Sequence, residues 1–287
     1  MKEQQYLWEN NDLFEPVHTF ECGQCFRWDK QEDGSYVGII RNNIIKVEKK
    51  YDKILFSGIG EDDFEQLCKV YFDLDRNYKA IKNKLSKIDP YMKTSIEYGK
   101  GIRILNQELW ETLISFIISA NNNIPRIKGI IERISKKYGN KIEWGGKTYY
   151  TFPTPKQLSC ATIEDLRSLG LGFRDKRVFE TTQMVLNKKI DIEKLKKEKN
   201  TEIIKETLLQ FPGVGEKVAD CIMLFSLKQF SVFPVDVWVR RVMNELYLKE
   251  DDETKVNKDK IRNYAYDKYG ELAGIAQQYL FYWKREA

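Results

Sequence analysis

Two glycines one residue apart constrain this chain more than any other feature. They lie in Leu209-Gln210-Phe211-Pro212-Gly213-Val214-Gly215-Glu216-Lys217. A helical pattern reaching Leu209 cannot run through Phe211-Pro212, because proline lacks an amide hydrogen and disfavours helix in the residue before it. Gly213 and Gly215 permit a tight turn with positive φ and the close approach of another backbone. A second helix is expected from about Glu216, so residues 201 to 228 read as helix, hairpin, helix. The N–H groups of the turn and of the new helix's first turn then form an anion site that admits a phosphate.

Lys217 falls in the first turn of that second helix, against the partial positive charge of its N-terminus. The position favours a free amine and suits a nucleophile, though a lysine there also suits a simple phosphate contact. Asp236 follows Phe233-Pro234-Val235 and opens the pattern Val237-Trp238-Val239-Arg240-Arg241-Val242. It reads as a helix N-cap and equally as a carboxylate facing the same cleft.

The 287 residues suffice for two or three sub-domains, and the net charge of +5 suits a polyanionic partner. No N-terminal stretch reads as a signal peptide and no run is apolar and long enough to span a bilayer. Five irregularly spaced cysteines argue against a disulfide framework and for a reducing, cytoplasmic setting. Cys22-x-x-Cys25 has no second pair to complete a zinc site. His18 is the only histidine, which argues against His-based triads and zinc hydrolysis.

The expected fold is α+β, with a sheet domain over residues 1–89 and a mostly helical region over 90–287. Residues 16 to 57 read as an antiparallel meander, with β-prone runs at Tyr36–Ile40, Ile44–Glu48 and Lys53–Phe56. Phe64, Leu67, Cys68, Tyr71 and Phe72 share a helical face, and Tyr78, Ile81, Leu85 and Ile88 another, before Asp89-Pro90 breaks the pattern. Leu109 to Ile118 is apolar nearly all round and predicts a buried central helix. It ends at Asn121-Asn122-Asn123, and Pro125 begins a helix with Ile127, Ile130, Ile131 and Ile134 on one face. Gly139 to Thr154 reads as loop. Gly170-Leu171-Gly172-Phe173-Arg174 is a second Gly-x-Gly turn with basic residues just after it. The Lys/Glu-rich stretch from Lys188 to Lys205 reads as a solvated face.

The Phe-Pro-Gly-Val-Gly-Glu-Lys hairpin with Asp236 in a Pro-Val-Asp setting resembles the helix-hairpin-helix DNA glycosylases, whose bifunctional branch the lysine marks. Gly23-Gln24-x-Phe26-Arg27-Trp28, Asn121-Asn122-Asn123-Ile124-x-Arg126 and Ala276-Gln277-Gln278-Tyr279-Leu280-Phe281 make it similar to 8-oxoguanine DNA glycosylases in particular. The resemblance covers nearly the whole chain and implies excision of 8-oxoguanine from duplex DNA, with strand cleavage, by a monomer. It implies roles in turn. Lys217 would attack the sugar and Asp236 would stabilise the positive charge building there. The Gly23 carbonyl would accept the N7–H that only the oxidised base carries, Gln277 would bond its Watson–Crick edge, and Phe281 and Cys221 would cover its two faces. Asn121 would fill the space vacated by the extruded nucleotide, Arg126 would meet the opposite cytosine, and Phe173 and Arg174 would enter the duplex beside it. Gly213, Val214 and Gly215 would hold a phosphate, with a monovalent cation bridging carbonyls near Leu209, Phe211 and Val214.

Bland readings stand beside these. Three asparagines can make a plain helix-end turn, Phe281 and Cys221 can be core, and Trp238 can give one N–H to a phosphate or only pack. Two departures from the pattern are Phe173, where the family usually has tyrosine, and Trp238, where animal members have histidine. No closely spaced run of four cysteines follows Asp236, so no iron–sulfur cluster is expected, and no cofactor is required. A glycosylase for alkylated bases would use the aspartate without the lysine, and a non-catalytic module would only grip DNA.

Overall fold

The computed structural model describes residues 4–9 and 13–286. Five antiparallel strands form one sheet: β1 (Gln5–Glu9), β2 (Trp28–Lys30), β3 (Tyr36–Ile40), β4 (Asn43–Lys50) and β5 (Lys53–Ser57), in the order β1-β5-β4-β3-β2. The three expected strands are present, with β4 reaching Lys50 and β5 reaching Ser57. Alternation puts Ile45, Val47, Ile54 and Phe56 on the face packed against Phe14, Phe20, Phe64 and Phe72.

Three expectations need correction. Pro16–Glu21 is a helix, not part of the meander. Its β-branched residues favour a strand reading, but Pro16 sits at a position where its fixed φ suits a helix start. Tertiary contacts then hold the turn. Thr19 Oγ1 donates to the Gly101 carbonyl at 3.1 Å and accepts from the Arg103 N–H at 3.2 Å. The edge strands β1 and β2 lie outside the three β-prone runs. The segment Gly139 to Thr154 contains a β-hairpin, Lys141–Trp144 paired with Lys147–Tyr150. Its two-residue turn is Gly145-Gly146, both at positive φ (55° and 73°), which matches the twist of a hairpin. Ile142, Trp144 and Tyr149 of this hairpin cover Val37, Ile39 and Ile44 on the outer face of the sheet. That cover is why every residue of β3 is buried.

The helical region wraps the central helix Leu109–Ser119, whose residues from Leu109 to Ile118 are buried except Glu111. The amphipathic helix Ile124–Tyr138 lays its isoleucine face on the same core, and Asn123 caps it. The face from Phe64 to Tyr71 is helical, with a π-helical segment at Phe64–Cys68. Two further helices complete the C-terminal part, Lys258–Tyr269 and Ala273–Glu286. No helix among the described residues is long and apolar enough to cross a membrane.

Candidate active site

The helices Thr201–Leu209 and Glu216–Ser226 flank the hairpin. Phe211 and Val214 are buried and anchor it, and the Val214 N–H donates to the Phe211 carbonyl at 3.0 Å. Gly213 has φ +83°, the left-handed region where a side chain is strained. Gly215 is extended and caps the second helix with no side chain on the first-turn N–H groups. A Cβ built at Gly215 would meet nothing within 4 Å, so the turn is open at this glycine.

Lys217 stands half-buried on the first turn. Its Nζ lies 5.4 Å from the centre of the Phe116 ring, and it makes no ion pair among the described residues. Phe116, which sequence reasoning did not single out, stacks on Phe225 at 5.7 Å. Cys221 lies on the same helix face and is only 4% exposed. Burial pushes its thiol up to about 11; a hydrogen bond with Lys217 and the lysine's charge oppose that rise, while the Asp220 and Asp236 carboxylates add to it. Lys217 and Asp236 therefore act on one buried thiol. Asp236 caps the helix Val237–Met243, its Oδ1 accepting from the Val239 N–H at 2.7 Å. Both the lysine and the carboxylate thus sit at helix N-termini, and the charges of both reach Cys221. Trp238, next along, stays 38% exposed.

The N-terminal part brings in Gly23. A Cβ at Gly23 would lie 3.3 Å from Cε1 of Phe281, so the loop and the C-terminal helix are in contact there. Arg285, one turn beyond, stacks its guanidinium 5.2 Å from the Phe281 ring centre and donates to the Glu21 carbonyl. Gln277 is buried, and its Oε1 accepts from Gln278 Nε2 at 2.7 Å. Gln24 fixes the loop from beneath: its Nε2 donates to the Thr19 and Arg103 carbonyls at 2.9 and 2.7 Å, and its Oε1 accepts from the Leu105 N–H at 2.8 Å. Phe26 of the same loop packs edge-on to Phe116 at 5.4 Å. The Gly23–Phe281 group and the Lys217–Cys221–Asp236 group are thereby joined through one pair of rings.

The third group surrounds the asparagines. Asn121 takes φ 52°, which asparagine tolerates, and its side chain is exposed. Asn122 closes the central helix by donating from Nδ2 to the Ile118 carbonyl at 3.1 Å. Arg126 is exposed, with Nη2 3.5 Å from the Gly170 carbonyl. Phe173 is 56% exposed. Arg174 differs from its expected projecting role. It is 2% exposed, and its guanidinium is spent on the carbonyls of Ala120, Asn121 and Leu171. Burial, and then the charges of Arg126 and Arg177, lower its pKa from the usual arginine range. Arg177 is the residue here that the motif reading passed over, although the basic run after Gly172 was its signal.

The cysteines of Cys22-x-x-Cys25 are buried and donate to the Thr19 and Phe20 carbonyls. Among the described residues no group of three or more His, Cys, Asp or Glu could hold a metal.

A model of the 8-oxoguanine DNA glycosylase N-terminal domain matches residues 7–113, and one of HhH-GPD superfamily base excision DNA repair proteins matches residues 114–264. These two matches and the fold are those of a base-excision DNA glycosylase built on a helix-hairpin-helix. The N-glycosylase/DNA lyase of Saccharomyces cerevisiae is 32% identical, over 92% of this chain and 82% of its own length. The Clostridium acetobutylicum 8-oxoguanine glycosylase/lyase, solved with double-stranded DNA containing cytosine opposite 8-oxoguanine, is 44% identical with a TM-score of 0.94, covering 99% of this chain and 97% of that one. The chain belongs to the 8-oxoguanine DNA glycosylase family of N-glycosylase/DNA lyases. A 3-methyladenine DNA glycosylase from Archaeoglobus fulgidus shares the fold alone, at 20% identity and a TM-score of 0.80 over 98% of each chain.

Proposed function

We propose that this chain removes 8-oxoguanine from duplex DNA and then cuts the strand through a Schiff base on Lys217. The observation that carries the reading is the placement of Lys217 on the first helical turn after the hairpin, its Nζ 5.4 Å from the centre of the Phe116 ring, with Asp236 held as the N-cap of the helix Val237–Met243 and the charges of both reaching Cys221. The base–sugar bond is unreachable inside a duplex, so the nucleotide must be extruded. The hairpin from Gly213 through Val214 to Gly215 holds a backbone phosphate, and a monovalent cation can share its carbonyls. Asn121 fills the gap, Arg126 and Phe173 meet the opposite strand, and Arg174 supports them from within the turn. Trp238 offers its N–H to a neighbouring phosphate.

The oxidised base lies between Cys221 and Phe281, its edge read by Gln277. An N7–H donated to the Gly23 carbonyl separates it from guanine, whose N7 is an acceptor; two facing acceptors cost about 1–3 kcal/mol. Lys217 Nζ bonds to C1′ as the bond from C1′ to the base breaks, the nitrogen giving up a proton to the departing base, with Asp236 stabilising the positive charge on the sugar. The neutral Cys221 thiol does not compete as a nucleophile. The adduct opens to a Schiff base, and loss of a C2′ proton expels the 3′ phosphate. The sheet portion, residues 1–89, delivers Gly23 to a site otherwise built by residues 90–287. The five free cysteines suit a reducing cytoplasm.

Borohydride trapping tests the mechanism. Wild-type protein on lesion duplex is expected to give a covalent adduct, and Lys217→Gln to give none while still binding the lesion. Wild-type strand cleavage by Lys217→Gln would refute it.

A further inference from the structure

Arg177 lies where the hairpin meets the second Gly-x-Gly turn. Its stem crosses Gly213: a Cβ built on that glycine would sit 2.5 Å from Arg177 Cδ and 3.1 Å from its Nε. The missing side chain at Gly213 therefore makes room for an arginine as well as for the turn. The guanidinium ends 5.1 Å from the centre of the Phe173 ring, which also carries Arg174 at 4.2 Å. Neither Arg177 nor Arg126 has a carboxylate partner among the described residues. Asp175, the acidic residue in this turn, is committed to Arg167 at 2.8 Å. Cations gathered around one exposed ring without counter-charge repel one another, and a polyanion relieves that repulsion.

We propose that Arg177 contacts a DNA phosphate between the one held at Gly213–Gly215 and the step that Phe173 enters, so that anchor and wedge engage the backbone as one unit. The proposal rests on the family's DNA-directed activity but not on the lysine chemistry. A half-exposed ring bearing a guanidinium can give that group up to a phosphate and keep its own stacking face. A phosphate contact positions the protein without reading sequence.

The test is binding of Arg177→Ala and Arg177→Lys to two fluorescent duplexes, one with 8-oxoguanine and one undamaged, over a salt series. Arg177→Ala is expected to weaken both duplexes by a similar factor, about tenfold at low salt, and to lower the slope of log K against log salt by about one. Arg177→Lys is expected to restore the slope. Borohydride trapping at saturating DNA should be as for wild type, which separates this result from failure of the lysine mechanism. An unchanged slope in Arg177→Ala, or a loss confined to the lesion duplex, would overturn the proposal.

Discussion

Arg174 donates twice to the carbonyl of Ala120, from Nε at 2.9 Å and from Nη2 at 2.6 Å, across 54 residues of chain. Nη2 also reaches the Asn121 carbonyl at 2.7 Å and Nη1 the Leu171 carbonyl at 3.2 Å. The planar fork thus ties the second Gly-x-Gly turn to the end of the central helix and holds Asn121 in its left-handed conformation. Charge-assisted hydrogen bonds are worth about 1.5–3 kcal/mol each, and their loss leaves the buried Leu171 carbonyl without this donor. Arg174→Met should therefore cost about 3 kcal/mol in urea denaturation. Arg174→Lys should recover little, since an ammonium cannot serve three carbonyls in this geometry. Equal stability of Arg174→Met and wild type would show that the fork does not hold the turn.

Asp236 has two separable jobs. Its Oδ1 caps a helix, and its charge reaches Cys221, the thiol that Lys217 also hydrogen-bonds. An asparagine in its place would keep the cap oxygen and lose the charge, so Asp236→Asn should leave thermal stability almost unchanged. Removing one preorganised charge partner costs about 100-fold or more, so base excision should fall by at least that factor. Asp236→Ala should lose both, adding about 1 kcal/mol of destabilisation from the missing cap. Single-turnover excision and thermal melts on the two variants check the separation. Similar excision by Asp236→Asn and wild type would reduce the residue to a cap.

Much of this was legible in the chain because the signals were local. Proline and glycine mark the hairpin, a β-prone run marks β3 and an apolar stretch marks the central helix. The N-cap reading of Asp236 needed only its neighbours. What stayed hidden depended on distant residues. Phe116 becomes a platform only once Phe225 stacks on it, and Arg174 is seen as a support only when Ala120 comes beside it. Pro16–Glu21 folds against the pull of its β-branched residues because the Gly101–Arg103 segment binds Thr19. The hairpin Lys141–Tyr150 was legible and was passed over: two glycines between aromatic runs are a turn signal in their own right.

That hairpin gives a prediction of its own. Gly145 and Gly146 hold positive φ with open space around each, so alanine there adds strain without a clash. Left-handed backbone costs a non-glycine residue roughly 1–2 kcal/mol. The double variant Gly145→Ala/Gly146→Ala should loosen the hairpin and uncover Val37, Ile39 and Ile44. Faster amide exchange confined to β3, β4 and the hairpin is the expected result. Exchange indistinguishable from wild type would show that the hairpin is not what protects this face.

Cys221 supplies a dependence on pH. Its thiol is pushed up from an ordinary 9.0 to about 11, mainly by burial. A raised folded-state value favours the protonated form, so its contribution to stability is complete below pH 9 and is lost as pH climbs from 9 toward 11. At neutral pH the thiol is both neutral and shielded, so it should resist iodoacetamide. The exposed Cys160 should be alkylated first, with Cys221 following only on unfolding or near pH 11. Peptide mass spectrometry after brief alkylation at about pH 7.5 and about pH 10.5 reads this directly. Labelling of Cys221 in folded protein near neutral pH, at a rate matching Cys160, would mean that the thiol is open to solvent rather than buried.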